Sequence, residues 1–199
     1  MFAGATKLGT NLIGLETATA YDFTKLANCA YMFYGTALTT KANRRISSSL
    51  AGAFDASYSF YQTNNHNQII LNLPSVTSVN FSYAFAYSGN IIKLIINAPV
   101  ATTVNFYYAF RYANYISNIY LNIKSNVTPN VYYMFRQSTT GRKNIFVRSG
   151  STLNTLFYNG GTSNSTIFYS AYTWTLNASN SCYYNTAINT YVYYNLTSV

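Results

Sequence analysis

The chain has 199 residues, of which 49% are hydrophobic and only 8% charged; twelve Lys and Arg face three acids, Glu16, Asp22 and Asp55, for a net charge of +9. Aromatic and branched residues are too plentiful for disorder, and no window approaches the ~20 apolar residues of a membrane span. The basic balance attracts polyanions such as anionic glycans, a negatively charged cell envelope or nucleic acid. Nucleic acid is the least favoured: the basic residues are scattered, only Arg44-Arg45 and Arg142-Lys143 are adjacent, and no recognised module accompanies them.

In chain order, the first feature is MFAGATKLGTNLIGL at 1–15, whose cadence returns as MFYGTALTT from Met32. No basic segment followed by an apolar core is legible at the start. The expectation is therefore export arranged elsewhere, or release by cell lysis as for virion parts. Phe60, Phe85, Phe110 and Phe135 then follow at intervals of 25. Two positions before a Phe stands a Tyr in five units: Tyr31, Tyr58, Tyr83, Tyr108 and Tyr133. Several positions recurring in register define a repeat. Looser copies key on Phe2, Phe33, Phe157 and, in SCYYNTAINTYVYYNL, on Cys182 or Tyr183 with a strand at Tyr191–Leu196. About eight units result, forming a single repeat array over 1–199.

Each unit reads as a short helical turn, such as VNFYYAFRYA, then a loop and a strand of about five residues. One such unit cannot bury its own apolar face, whereas a stack of them can. The expected fold is thus an α/β repeat solenoid of short helical turns and short parallel strands. One strand column is apolar throughout: Leu71, Ile96, Leu121, Phe146 and Phe168. Alternation puts Ile70, Ile95, Tyr120, Ile145 and Ile167 on the other face, with Asn72, Asn97, Asn122, Val147 and Tyr169. That face is unusually apolar for a solvated sheet, so either something covers it or it is a contact surface. Asn72, Asn97 and Asn122 are placed to form an amide ladder.

The period and the phrase NCAYMFYGTALT resemble the BspA-type leucine-rich repeats of bacterial surface proteins, relatives of which occur in phages. Cys29, Met32, Phe33 and Leu38 carry the likeness, and Met1-Phe2 and Met134-Phe135 keep the pair. The resemblance implies a curved parallel-strand solenoid used for adhesion or recognition rather than catalysis, and it brings no functional residues with it; no cofactor is expected.

The residues themselves offer little for catalysis. Glycoside hydrolysis needs two facing carboxylates, and Glu16, Asp22 and Asp55 are not neighbours in repeat register. His66, the only His, stands in the polar stretch QTNNHNQ and reads as a solvated loop residue. A lone His, three acids and two distant Cys cannot supply a tetrahedral metal site. Cys29 and Cys182 lie about six units apart, roughly 25–30 Å, so both are expected free and buried. The five sequons, at Asn80, Asn126, Asn164, Asn177 and Asn195, follow from a composition rich in Asn, Ser and Thr.

Binding has better candidates. Arg111 and Arg136 share one repeat position and should be neighbours on one edge. Tyr is rigid and amphipathic, suited to sugars and protein interfaces. The regular Tyr31–Tyr133 column is assigned to the core, which leaves Tyr112, Tyr115 and Tyr120 for contact, with Arg111, Arg136, Asn72, Asn97 and Asn122. The expected function is recognition of a cell-surface glycan or protein by an extracellular or virion-associated module, such as a tail fibre or surface decoration. The alternative is a structural protein that self-assembles through open solenoid ends or the apolar sheet face. The half-made first unit, with a strand at Leu12–Leu15 on an uncapped edge, and the equally uncapped last strand suggest a segment of a longer array or a stacking unit.

Overall fold

The computed structural model describes residues 25–124, 129–138, 140–153 and 174–197. Strands β1 (Ala37–Ser47), β2 (Gly52–Asp55), β3 (Asn64–Asn72), β4 (Val76–Asn80), β5 (Ile91–Ala98) and β6 (Thr103–Asn105) are followed by β7 (Ile116–Ile123), β8 (Lys143–Arg148), β9 (Thr175–Asn177), β10 (Cys182–Asn185) and β11 (Thr190–Leu196). The chain winds through them as a β-solenoid of about four turns. One side is an eight-stranded sheet in the order β1-β3-β5-β7-β8-β11-β10-β9, and a second is the three-stranded sheet β2-β4-β6. Pairing is parallel from β1 through β11, and β10 and β9 then close the large sheet antiparallel.

The third side corrects the expected helical turns. VNFYYAFRYA is not helical, and the recurring segment is a ribbon of overlapping β-turns. In residues 81–88, Ala84, Ala86 and Ser88 donate their N–H to the carbonyls of Phe81, Tyr83 and Phe85 within the rung. The alternate residues Phe81, Tyr83, Phe85 and Tyr87 donate to Asn105, Tyr107, Ala109 and Arg111 of the next rung. Every one of these N–H groups is satisfied, three locally and four between rungs, which a helix of one or two turns could not achieve. The same pattern recurs in 29–36 and 106–113, and in 56–63 with the Thr63 hydroxyl donating to the Phe60 carbonyl, while 131–138 repeats the bonds within the rung. The cost is backbone strain: Tyr31, Tyr58, Tyr83, Tyr108 and Tyr133 all have φ between 53° and 57°. A second column, Gly35, Gln62, Tyr87, Tyr112 and Gln137, is also left-handed.

Side chains at these left-handed positions point outward, while the Phe between them points inward. Phe33, Phe60, Phe85, Phe110 and Phe135 stack at centroid spacings of 5.0, 5.6, 5.3 and 4.8 Å and fill the core. The opposite wall is built from Ile69, Leu71, Leu94, Ile96, Ile119 and Leu121, all buried. The tyrosine column assigned to the core is instead on the surface. Tyr31 is 49% exposed and only Tyr108 is buried, which keeps phenol hydroxyls near water.

Two other strand assignments are corrected. The pairing offset is 25 between β5 and β7 but 26 between β7 and β8: Ile95 faces Tyr120, and Tyr120 faces Phe146. A one-residue slip exchanges the faces of a strand. Ile145 and Val147, expected outside, are therefore buried, and Phe146, expected inside, lies outward. The extra residue falls between Ser138 and Lys143, because the ribbons themselves keep the 25-residue interval.

Beyond β8 the next strand in the sheet is β11, with Tyr193 beside Phe146. Ile167–Tyr169, like the units keyed on Phe2 and Phe157 and the strand at Leu12–Leu15, lie outside the described residues. SCYYNT is no eighth copy: Cys182–Asn185 forms β10, antiparallel to β11. Tyr191–Leu196 consequently lies inside the sheet, between β8 and β10, rather than at its edge. Cys29 and Cys182 are free and buried as expected, and burial raises both thiol pKa values. No helix among the described residues is long and apolar enough to cross a membrane.

Candidate functional site

Asparagines organise the surface. Asn97 Nδ2 donates to Asn72 Oδ1 at 2.6 Å, and Asn122 Nδ2 donates to Asn97 Oδ1 at 2.7 Å, forming the expected ladder on the outer face of the large sheet. A second ladder runs along the other sheet: Asn80 donates to Asp55 Oδ1 at 3.1 Å, and Asn105 to Asn80 Oδ1 at 3.0 Å. Asp55, Asn80, Asn105 and Asn130 also accept the N–H two residues on, at Ser57, Ser82, Tyr107 and Tyr132, and so open each turn ribbon. Asp55 therefore acts as a structural acceptor. The repeated Asn-Phe of VNF was the sequence signal for this role.

The candidates drawn from sequence fall on three surfaces. Arg111, Tyr112 and Arg136 lie on the ribbon. Tyr31, Tyr58, Tyr83 and Tyr108 stack there with nearly parallel rings at 4.9, 4.9 and 5.1 Å. A second row runs through Tyr34, Tyr61, Tyr87 and Tyr112. The Arg111 guanidinium sits between the rows, 5.2 Å from the centroids of both Tyr108 and Tyr112 and 5.5 Å from Tyr87. One rung on, Arg136 lies 5.2 Å from the Tyr133 centroid and donates from Nη1 to Tyr108 Oη at 3.0 Å. The like charges expected as neighbours are thus each embedded in ring faces, where cation–π attraction offsets their repulsion. Removal from water and crowding by Tyr107, Tyr58 and Tyr108 push the Tyr83 phenol up to about 12.

Tyr120 lies on the outer face of the large sheet, stacked on Phe146 at 4.5 Å, with Phe146 stacked on Tyr193 at 4.7 Å and Lys93 Nζ over Tyr120 at 5.1 Å. Ile70, Ile95 and the Asn ladder continue this face.

Tyr115 belongs to neither surface. It borders a cleft of about 350 Å³ at the start of β5, β7 and β8, lined by Asn90, Ile92, Asn114, Ser117, Gly141, Arg142 and Asn144 as well. None of those seven was singled out from sequence as a binding residue. The adjacent Arg142-Lys143 pair was the available signal, and it sits in the loop that carries the extra residue.

His66 is not in a solvated loop. It is fully buried in β3, in the inward column that continues as Ile91 and Ile116. Neither ring nitrogen has a hydrogen-bond partner, and the ring meets Phe60 edge-on at 5.8 Å. Burial, reinforced by the Arg44 charge, lowers its pKa to about 3. A base with no partner and no access to solvent has nothing to act on. Among the described residues no three His, Cys, Asp or Glu side chains come together. Comparison of the chain with protein-family models, with curated proteins and with solved structures gives no match.

Proposed function

We propose that this protein is a non-catalytic recognition module that binds an anionic glycan of a cell surface across its turn ribbon. The observation that carries this reading is the placement of Arg111 and Arg136 on adjacent rungs within surface rows of tyrosine. Because the rings stack on one another, their faces are occupied, and what they offer outward is edges and hydroxyls. Hydroxyl rows at the rung spacing, with two fixed cations, suit a polymer of hydroxyls and negative groups. The excess of twelve cationic over three acidic side chains favours such a partner at longer range. The setting that suits this activity is extracellular or virion-associated, in keeping with the resemblance to BspA-type repeats.

The test is binding to immobilised sulfated and carboxylated glycans, to a glycan array and to whole bacterial cells. Native protein should bind, weakening as salt rises, and Arg111→Gln with Arg136→Gln should reduce binding about tenfold or more. Silence on both array and cells would overturn the proposal.

The row Tyr120, Phe146 and Tyr193 favours a second reading, self-assembly through the outer sheet face. Light scattering at micromolar concentration decides it: larger species that disappear in Tyr120→Ser support assembly, and monomer alone removes it.

A further inference from the structure

Tyr115 differs from the ladder tyrosines in the property that matters for a ligand. It is 63% exposed, and among the described residues no other ring stacks on it, so its face is available where theirs are used. Glycines flank it on either side. A β-carbon on Gly89 would come 3.9 Å from Tyr115 Cδ2, and one on Gly141 would come 3.8 Å from Cδ1. The same atom on Gly141 would lie 2.5 Å from the Asn114 carbonyl oxygen, and φ there is +75°. Only glycine lets this loop approach so closely.

The loop is held from below by Lys143. Its buried ammonium donates to the carbonyls of Thr140, Asn114 and Gly141 at 2.7, 3.3 and 3.4 Å. Three acceptors match its three protons. The wall of the cleft is therefore rigid without a carboxylate in it.

Arg142, on the same loop, is oriented rather than consumed. Its Nε donates to Asn144 Oδ1 at 3.3 Å, and its guanidinium lies 4.7 Å from the Tyr191 ring centroid. Among the described residues no hydrogen bond engages its two terminal nitrogens. Two parallel N–H donors of this kind match a carboxylate in bidentate geometry. Around it, the amides of Asn90, Asn114 and Asn144, each already in one or two protein hydrogen bonds but with donor and acceptor capacity left over, and the hydroxyl of Ser117 both donate and accept, as sugar hydroxyls do. At about 350 Å³ the cleft is at the small end of ligand sites, room for one or two rings.

We infer that this cleft binds a carboxylate-bearing sugar ring, with Arg142 on the carboxylate, Tyr115 against the ring and the asparagine amides on its hydroxyls. The inference rests on the glycan reading above and adds to it a separate site at the mouth of β5, β7 and β8.

The probes are glucuronate and galacturonate, with glucose and acetate as controls, followed by ligand-observed NMR and titration of the intact protein. A uronate should bind in the millimolar range, glucose and acetate each at least about tenfold more weakly, since each lacks half of the contacts. Arg142→Gln and Tyr115→Ala should each weaken uronate binding about tenfold or more, with circular dichroism unchanged because both side chains are at the surface. Absence of uronate binding to native protein, or binding unchanged in both variants, overturns the inference. Acetate binding as well as uronate overturns the sugar assignment and leaves an anion contact only. Glycan or cell binding that is kept in these variants but lost in Arg111→Gln with Arg136→Gln sinks the cleft and spares the ribbon. Loss of all binding in native protein sinks both.

Discussion

Replacing His66 by Ile should remove the acid sensitivity that this imidazole contributes and stabilise the protein at neutral pH. The two following rungs already carry Ile91 and Ile116 at this position, so the cavity is shaped for it. The folded state holds the imidazole neutral down to about pH 3, because it is buried and faces the Arg44 charge. The unfolded chain takes up the proton near the ordinary value of about 6.5. Between those limits acid favours the unfolded state, at about 1.4 kcal/mol per pH unit. At pH 4.5 the native fold should therefore have lost roughly 2–3 kcal/mol relative to pH 7, from this group alone.

His66→Ile also removes two buried ring nitrogens without partners, one of them carrying a proton, which should add roughly 1–3 kcal/mol at pH 7. Urea unfolding followed by circular dichroism between pH 4 and pH 8 measures both effects. Every carboxylate is common to the two proteins, so the difference between their pH profiles isolates residue 66. Parallel profiles, or a variant less stable than native at pH 7, would refute the assignment of a neutral, unpartnered core imidazole.

Three further tests address the ribbon, the ladder and the alkaline limb. At Tyr58, with φ 54°, Tyr58→Gly should be about 1 kcal/mol more stable than Tyr58→Ala in thermal or urea unfolding. Both lose the ring contacts with Tyr31 and Tyr83, and equal or reversed stabilities would argue against a left-handed backbone there. Asn97→Ala breaks two ladder bonds and should cost about 1–3 kcal/mol. Asn122→Ala removes one bond together with a buried oxygen that has no partner, and should cost less; the opposite order would contradict the ladder. Burial lowers the Lys143 pKa to about 8, so the folded state releases this proton before the unfolded chain does, and stability should rise from pH 8 towards 10. The Tyr83 phenol is raised to about 12, so its neutral form favours the fold, and stability should fall as pH climbs from 10 through 12. Unfolding midpoints in Lys143→Met should lack the first limb, and those in Tyr83→Phe should show a weaker second one.

The sequence by itself determined the repeat, its 25-residue interval, the recurring Phe column, the Asn72–Asn97–Asn122 ladder and the neighbourhood of Arg111 and Arg136. All of these follow from periodicity, because residues one period apart become neighbours when units stack. Periodicity does not give the backbone conformation between equivalent positions. Tyr and Phe two residues apart in FSYAFAY satisfy a short helix as well as a turn ribbon. Only the pairing of alternate N–H groups with the next rung selects the ribbon and turns Tyr58, Tyr83 and Tyr108 outward. Gly35, aligned with Tyr87 and Tyr112, was the one residue whose type pointed to a left-handed column.

Register and burial were likewise decided in three dimensions. One extra residue before Lys143 exchanged the faces of β8, and the same residue built the loop that presents Arg142 beside Tyr115. His66 looked solvated because its sequence neighbours are polar. Its burial is set by the strands on either side, since a residue's surroundings in a stacked fold come from the rungs above and below rather than from the chain before and after it.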